Sequence, residues 1–205
     1  MSEFISEDQR DCLQELANVA MGQSADRLAR LLDVFVVLTI PNVSILTPVD
    51  IAMTLQSLQD SADNSQPLSG VCQGFIGGGL AGEAMLIFNG TDYQSLAELL
   101  KYQDHHTAEA RNELLMDTAN VLTGACLHGL AEQLDIQFSF GPPTLLGENF
   151  DIPVLLNQRH VSWDRALVIE IGYTIEDRRV NCDLLIVISE QSIQGLLEKL
   201  DYLLD

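Results

Sequence analysis

The sequence predicts an α+β fold: a pseudo-two-fold duplicated unit with two long helices and a largely antiparallel sheet. Three observations carry this expectation. Apolar residues recur at helical spacing from Ser6 to about Leu32 and again from Thr107 to about Leu134. The short apolar, β-branched runs between and after them are joined by tight connections, which favour antiparallel neighbours over the long crossovers that parallel strands need. The chain also repeats itself at an offset of 102 residues: over 15–41 against 117–143, nine of 27 positions are identical. Average amino-acid usage would give about two by chance. The identities are Ala17/Ala119, Asn18/Asn120, Val19/Val121, Gly22/Gly124, Leu28/Leu130, Ala29/Ala131, Leu32/Leu134, Asp33/Asp135 and Pro41/Pro143. We therefore read residues 1–205 as one unit made of two repeats, about 1–103 and 104–205.

In chain order, Ser6 with Gln9 three residues on forms a capping-box signature that sets the start of the first helix. Its apolar side is read as Leu13, Leu16, Ala17, Ala20, Leu28 and Leu31, and Asp11, Glu15 and Asn18 stack on the opposite face. Val34 to Ile40 is rich in β-branched residues and ends at Pro41, which cannot donate to a ladder, so it reads as a strand. From Asn42 to Leu58, Val43 and Ile45, then Ile51, Met53 and Leu55, alternate as half-buried strands do. Gln59 to Gly70 is polar and turn-rich, a loop. Val71–Ile76 and Glu83–Phe88 read as strands around Gly77-Gly78-Gly79. No Gly-Lys-Ser/Thr follows these glycines, so a hairpin connection is preferred to a phosphate cradle. Thr91 to Lys101 reads as a helix capped by Thr91, and Tyr102 to Thr107 as the junction of the halves. The second half then gives its long helix, strands at Ile136–Phe140, Ala166–Tyr173 and Cys182–Ile188, and a closing helix over Glu190–Leu204. At an offset of 99 Leu86-Ile87 matches Leu185-Ile186, and at an offset of 100 Gln94, Leu96, Glu98 and Leu100 match Gln194, Leu196, Glu198 and Leu200.

Thirty acidic against ten basic residues give a net charge of −20. This argues against a nucleic acid or an anionic membrane as partner, since both need clustered Lys and Arg. It suits a basic-rimmed or metal-bearing partner, and equally an ordinary cytoplasmic surface. Cys12, Cys72, Cys126 and Cys182 are scattered without Cys-x-x-Cys pairing, so neither a zinc site nor a disulfide framework is signalled, and we expect buried, reduced thiols. His105 and His106 lack a spaced third ligand and read as exposed linker residues. Trp163 and Tyr173 read as core. With no basic-then-apolar leader and no apolar run near 18 residues, the expectation is a cytoplasmic protein.

The arrangement Asp11, three residues, Glu15, two residues, Asn18, twenty-two residues, Pro41 resembles the signature of the CheC/CheX/FliY family of chemotaxis response-regulator phosphatases. Glu113, Asp117, Asn120 and Pro143 repeat it at the same spacing, with Glu where Ser or Asp is usual and Asp where Glu is usual. Two motifs in about 200 residues look like the two-motif CheC branch, and the end of the chain at Asp205 directly after the repeat weighs against FliY proper. The resemblance implies that the two motif helices lie side by side against the sheet. It also implies that Asn18 and Asn120 orient the water attacking the acyl phosphate of a CheY-like regulator, while Glu15 and Asp117 dock against the regulator's lysine. Asp11 and Glu113 are then peripheral, and Pro41 and Pro143 set the geometry. No cofactor of its own is implied; Mg²⁺ belongs to the phosphorylated regulator, and CheD is a further possible partner.

The residues themselves are consistent with that chemistry. Asn has no useful pKa, but its amide donates and accepts and can hold one water in one orientation, as a glutamine does in a GTPase. Asp, Glu and Asn on one face also make an ordinary solvated surface. Against that stands the recurrence of Asn, a poor helix former, mid-helix at the same offset as the proline. The competing reading is a module that docks regulators, CheD or flagellar-switch components without hydrolysis.

Overall fold

A computed structural model describes residues 4–61, 68–88, 93–102, 107–148, 164–175 and 180–204. In order these form α1 (Glu7–Leu32), β1 (Val36–Leu38), β2 (Asn42–Leu46), α2 (Pro48–Ser61), β3 (Ser69–Gly77), β4 (Leu80–Phe88), α3 (Tyr93–Leu100), α4 (Ala108–Gln133), β5 (Ser139–Phe140), β6 (Thr144–Glu148), β7 (Ala166–Ile175), β8 (Val180–Ser189) and α5 (Glu190–Leu204). The class is α+β, as expected. Thr91, His105, His106 and Trp163 lie outside the described residues.

The long helices start and stop where local chemistry dictates. Ser6 Oγ accepts from the Gln9 N–H at 3.2 Å, and Gln9 Oε1 accepts from the Ser6 N–H at 3.0 Å, closing the capping box. Gln9 also donates to Asp201 at 2.6 Å, which ties the start of α1 to α5. Thr107 caps α4 by accepting from the Ala110 N–H at 3.1 Å. Both helices are followed by an aspartate in the left-handed region, Asp33 (φ 54°) and Asp135 (φ 50°), a conformation its short polar side chain tolerates. The closing bonds correspond as well, Val34 N–H to Ala29 O at 3.2 Å and Ile136 N–H to Ala131 O at 2.9 Å. Ser6→Ala should cost about 1 kcal/mol, which for a domain of this size lowers the melting temperature by roughly 2–4 °C; differential scanning calorimetry reads it.

The sheet has eight strands in the order β1-β7-β8-β4-β3-β5, with β2 continuing along β7 and β6 along β3, and every pairing is antiparallel. Exchanging the halves leaves this order unchanged. At its centre Met85 faces Leu185, residues related by the offset of 100, so a pseudo-dyad passes between β4 and β8. Along β8, Leu184, Ile186 and Ile188 face a core shared with α1, α3, α4 and α5, while Leu185 and Val187 face a second cluster under α2, the alternation expected of a strand buried on both faces.

Several expectations need correction. The run through Ile51, Met53 and Leu55 is not a strand but helix α2. Ile51 and Leu55, four apart, are buried, whereas Met53 is 66% exposed. The overlooked signal is a cap: Thr47 Oγ1 accepts from the Asp50 N–H at 3.2 Å, Asp50 accepts from Thr47 N–H and hydroxyl at 2.8 and 2.7 Å, and Pro48 holds the first helical position. These bonds, the side-chain one foremost, hold the Asp50 carboxyl below its usual pKa. The expected loop from Gln59 is shorter than read, because α2 runs to Ser61 and β3 begins at Ser69. Leu31 is 66% exposed; the core side of α1 turns through Met21, Ser24, Leu28 and Leu32 instead. The strands expected over Val34–Ile40 and Ile136–Phe140 shrink to Val36–Leu38 and Ser139–Phe140, β4 starts earlier, at Leu80, and β6 was not anticipated. The triple glycine is the β3–β4 hairpin, with Gly78 (φ 58°) and Gly79 (φ 81°) both left-handed, as a mirror-image two-residue turn requires. Cys72, Cys126 and Cys182 are buried free thiols, but Cys12 is only half-buried.

Candidate functional site

Asp11, Glu15 and Asn18 on α1, and Glu113, Asp117 and Asn120 on α4, all have exposed side chains. Behind them lie Leu13, Ala17 and Ala20 in one half and Leu115, Ala119 and Leu122 in the other, each at most 2% exposed. The helices thus bury one side and hold carboxylate and amide outward on a rigid support. They meet just beyond the motif residues. There the one hydroxyl proton of Ser24, fully buried, is shared between Ala20 O at 2.7 Å and Ala125 O across the interface at 2.8 Å.

The prolines acquire a structural meaning from the sheet register. Leu38 faces Tyr173 and Asn42 faces Glu170, so three residues, Thr39 to Pro41, span two, Ile171 and Gly172. In the other half Phe140 faces Phe75 and Thr144 faces Cys72, so Gly141 to Pro143 span Gln73 and Gly74. Each proline closes a one-residue bulge, a place in a sheet where a missing N–H is tolerated. Thr39 and Gly141 donate at corresponding bonds, to Gly172 O and Gly74 O, both at 2.9 Å. Pro41 is buried and Pro143 half-buried.

The two motifs differ in what surrounds them. Gln73, on β3 opposite the second bulge and only 6% exposed, donates from Nε2 to Asn120 Oδ1 at 3.3 Å and to Gly141 O at 3.0 Å. Its counterpart by register is Ile171, which has no polar group. Asp117 accepts a hydrogen bond from the Tyr102 hydroxyl. That bond, then burial and the nearby charges of Asp117 and Glu113, push the Tyr102 phenol up to about 12, so it remains a donor throughout the neutral range. The counterpart of Tyr102 at offset 100 is Tyr202, 82% exposed. Among the described residues no hydrogen bond engages the side chain of Glu15 or Asn18. Sequence reasoning missed Gln73 and Tyr102. The only signal for either was a lone polar residue in the apolar run Val71–Ile76 and the Tyr102/Tyr202 match.

Among the described residues no group of three or more His, Cys, Asp or Glu is placed to hold a metal. Burial pushes the Cys126 thiol up to about 12, against the opposing hydrogen bond with Tyr173, so it is no nucleophile. No helix among the described residues is long and apolar enough to cross a membrane.

The sequence matches no protein-family profile and no curated protein. The fold does have relatives. The chain superposes on FliY from Thermotoga maritima with a TM-score of 0.65 at 17% identity, covering 97% of this chain and 98% of that one. The middle domain of FliM from H. pylori gives 0.61 at 14%, covering 95% and 99%. The chemotaxis protein CheX from Desulfovibrio desulfuricans gives 0.52 at 12%, covering 85% and 99%. The fold is the one that the resemblance of the two motifs implied. In particular, this chain has the fold common to FliY, CheX and the FliM middle domain.

Proposed function

We propose that the chain is a phosphatase of the CheC/CheX/FliY type acting on a phosphorylated CheY-like response regulator in the cytoplasm. Asn18 and Asn120 enter the regulator's pocket, where the regulator supplies the acyl phosphate and Mg²⁺, and orient the attacking water. Glu15 and Asp117, one turn earlier, dock against a regulator lysine. The observation that supports this reading is the duplicated carboxylate–asparagine pair, exposed on both long helices at one offset while every neighbouring core position is buried. Holding a water and a phosphoryl group in line is a positioning task, which an exposed amide on a rigid helix can perform without a titrating group. The test is the decay rate of a phosphorylated CheY-like regulator with and without the protein: acceleration at catalytic amounts supports the reading, and an unchanged rate excludes it.

A second reading has its own support, since the two highest of these TM-scores belong to FliY and the FliM middle domain. In it the same face binds a regulator, CheD or flagellar-switch components without hydrolysis.

The two sites should dock unequally. Asp117 is shorter than Glu15 by one methylene, about 1.5 Å of reach, and Tyr102 already occupies it. Exposed ion pairs of this kind contribute about 0.2–1 kcal/mol, so the deficit is several-fold in affinity at most. The Asn18→Ala protein, left with the second site, should therefore show the higher KM, and Asp117→Glu or Tyr102→Phe should each narrow the gap to the Asn120→Ala protein. Initial rates against regulator concentration decide it; a KM lower in Asn18→Ala than in Asn120→Ala means that the docking order is wrong.

A further inference from the structure

We propose that Gln73 is a positioning residue that presets the Asn120 amide, so that the second site, though it docks more weakly, turns over faster once occupied than the first. The proposal rests on the phosphatase reading of Asn18 and Asn120.

An exposed asparagine amide can rotate and can exchange its oxygen and nitrogen ends, and only one arrangement presents the acceptor to a given water. Gln73 removes that freedom for Asn120. Its Nε2 can only donate, so a hydrogen bond to Asn120 Oδ1 distinguishes the two ends, turns Nδ2 away from β3 and leaves the second lone pair of Oδ1 for a water. Gln73 is itself fixed, being buried in the sheet and donating also to Gly141 O in the proline bulge. The bulge, β3 and α4 are thereby linked through one side chain.

The first site lacks this link. Ile171 stands where Gln73 does, opposite the Thr39–Pro41 bulge, and cannot donate. Asn18 must therefore lose its side-chain freedom when it orients the water, and that cost falls on turnover rather than on docking, which the carboxylate performs. Consequently the second site leads at saturating regulator, and its lead shrinks as the regulator is diluted and docking comes to matter.

Single-site backgrounds test this, Asn18→Ala leaving the second site and Asn120→Ala the first. At saturating phosphorylated regulator the Asn18→Ala protein should show the higher kcat, by several-fold. Gln73→Leu should bring its kcat down to that of the first site with KM unchanged, and should not alter the Asn120→Ala protein. An equal fall of kcat in both backgrounds would mean that Gln73 merely supports the fold; that result, a change in KM alone, or no change at all overturns the proposal. A measurement on the wild-type protein guards against a variant that folds poorly. Nuclear relaxation of the side-chain NH₂ groups should find that of Asn120 more ordered than that of Asn18, and equal mobility refutes the presetting directly. Should the Asn18→Ala/Asn120→Ala double variant keep full activity, it is the phosphatase reading that fails, while the relaxation result still judges the role of Gln73.

Discussion

In the double variant Asn18→Ala/Asn120→Ala, a phosphorylated CheY-like regulator is expected to decay at its own intrinsic rate, with the acceleration lost at every concentration. The regulator already holds its metal and phosphoryl group, so the asparagines supply only placement of the water, and misplacement of a reacting group costs on the order of 10²-fold. Each single variant keeps the other site and should retain partial activity. The fold should persist, because both side chains are exposed, Gln73 keeps its bond to Gly141 O when Asn120 is removed, and Ala is a better helix former than Asn by roughly 0.5–0.7 kcal/mol, which offsets the lost Gln73–Asn120 bond. A melting temperature near that of wild type, together with a lost rate, assigns the effect to chemistry. A double variant with the wild-type rate leaves only the docking function.

Much of the fold was legible because its signals are local. Ser6 with Gln9, and Thr107, fix the helix starts through bonds within one turn, and the Asp33/Asp135 pair fixes the ends. Where two periods compete, pattern fails. Ile51, Met53 and Leu55 satisfy a period of two, Ile51 and Leu55 satisfy a helix, and only the Thr47-Pro48-Val49-Asp50 cap separates the readings. The motif residues were legible because each motif occupies one helix, whose spacing alone sets which side chains share a face. Gln73 was not, since its partners Asn120 and Gly141 are 47 and 68 residues away and meet it only through the register that the proline bulge imposes. Nor was the Tyr102 contact, which depends on how α3 delivers the chain to α4. The duplication thus reveals the positions of two sites and conceals their inequality, because Ile171 and Tyr202 differ from their counterparts in the surroundings of the motif.

Among the helical glycines, Gly129→Val should do the greatest damage to stability. At the interface of α1 and α4 Gly129 meets Ala20 and Ser24: a Cβ at 129 would lie 2.8 Å from Ala20 O and from Ser24 Oγ. The first of these atoms is backbone and cannot turn aside, so the helices must separate. Separation would also stretch the buried Ser24 bond to Ala125 O, and the exposed Arg27–Glu132 pair at 2.8 Å adds too little to resist it. Overpacking of this kind costs about 1–3 kcal/mol, and at the upper end the melting temperature falls by roughly 6–12 °C. Gly22 and Gly124 provide the contrast. They match in the two repeats, yet nothing lies within 4 Å of a Cβ built on either, so Gly22→Ala and Gly124→Ala should each raise stability by about 0.5–1 kcal/mol through helix propensity. If calorimetry instead finds Gly129→Val harmless and Gly124→Ala destabilising, the close contact of the motif helices is not what limits the stability of this interface.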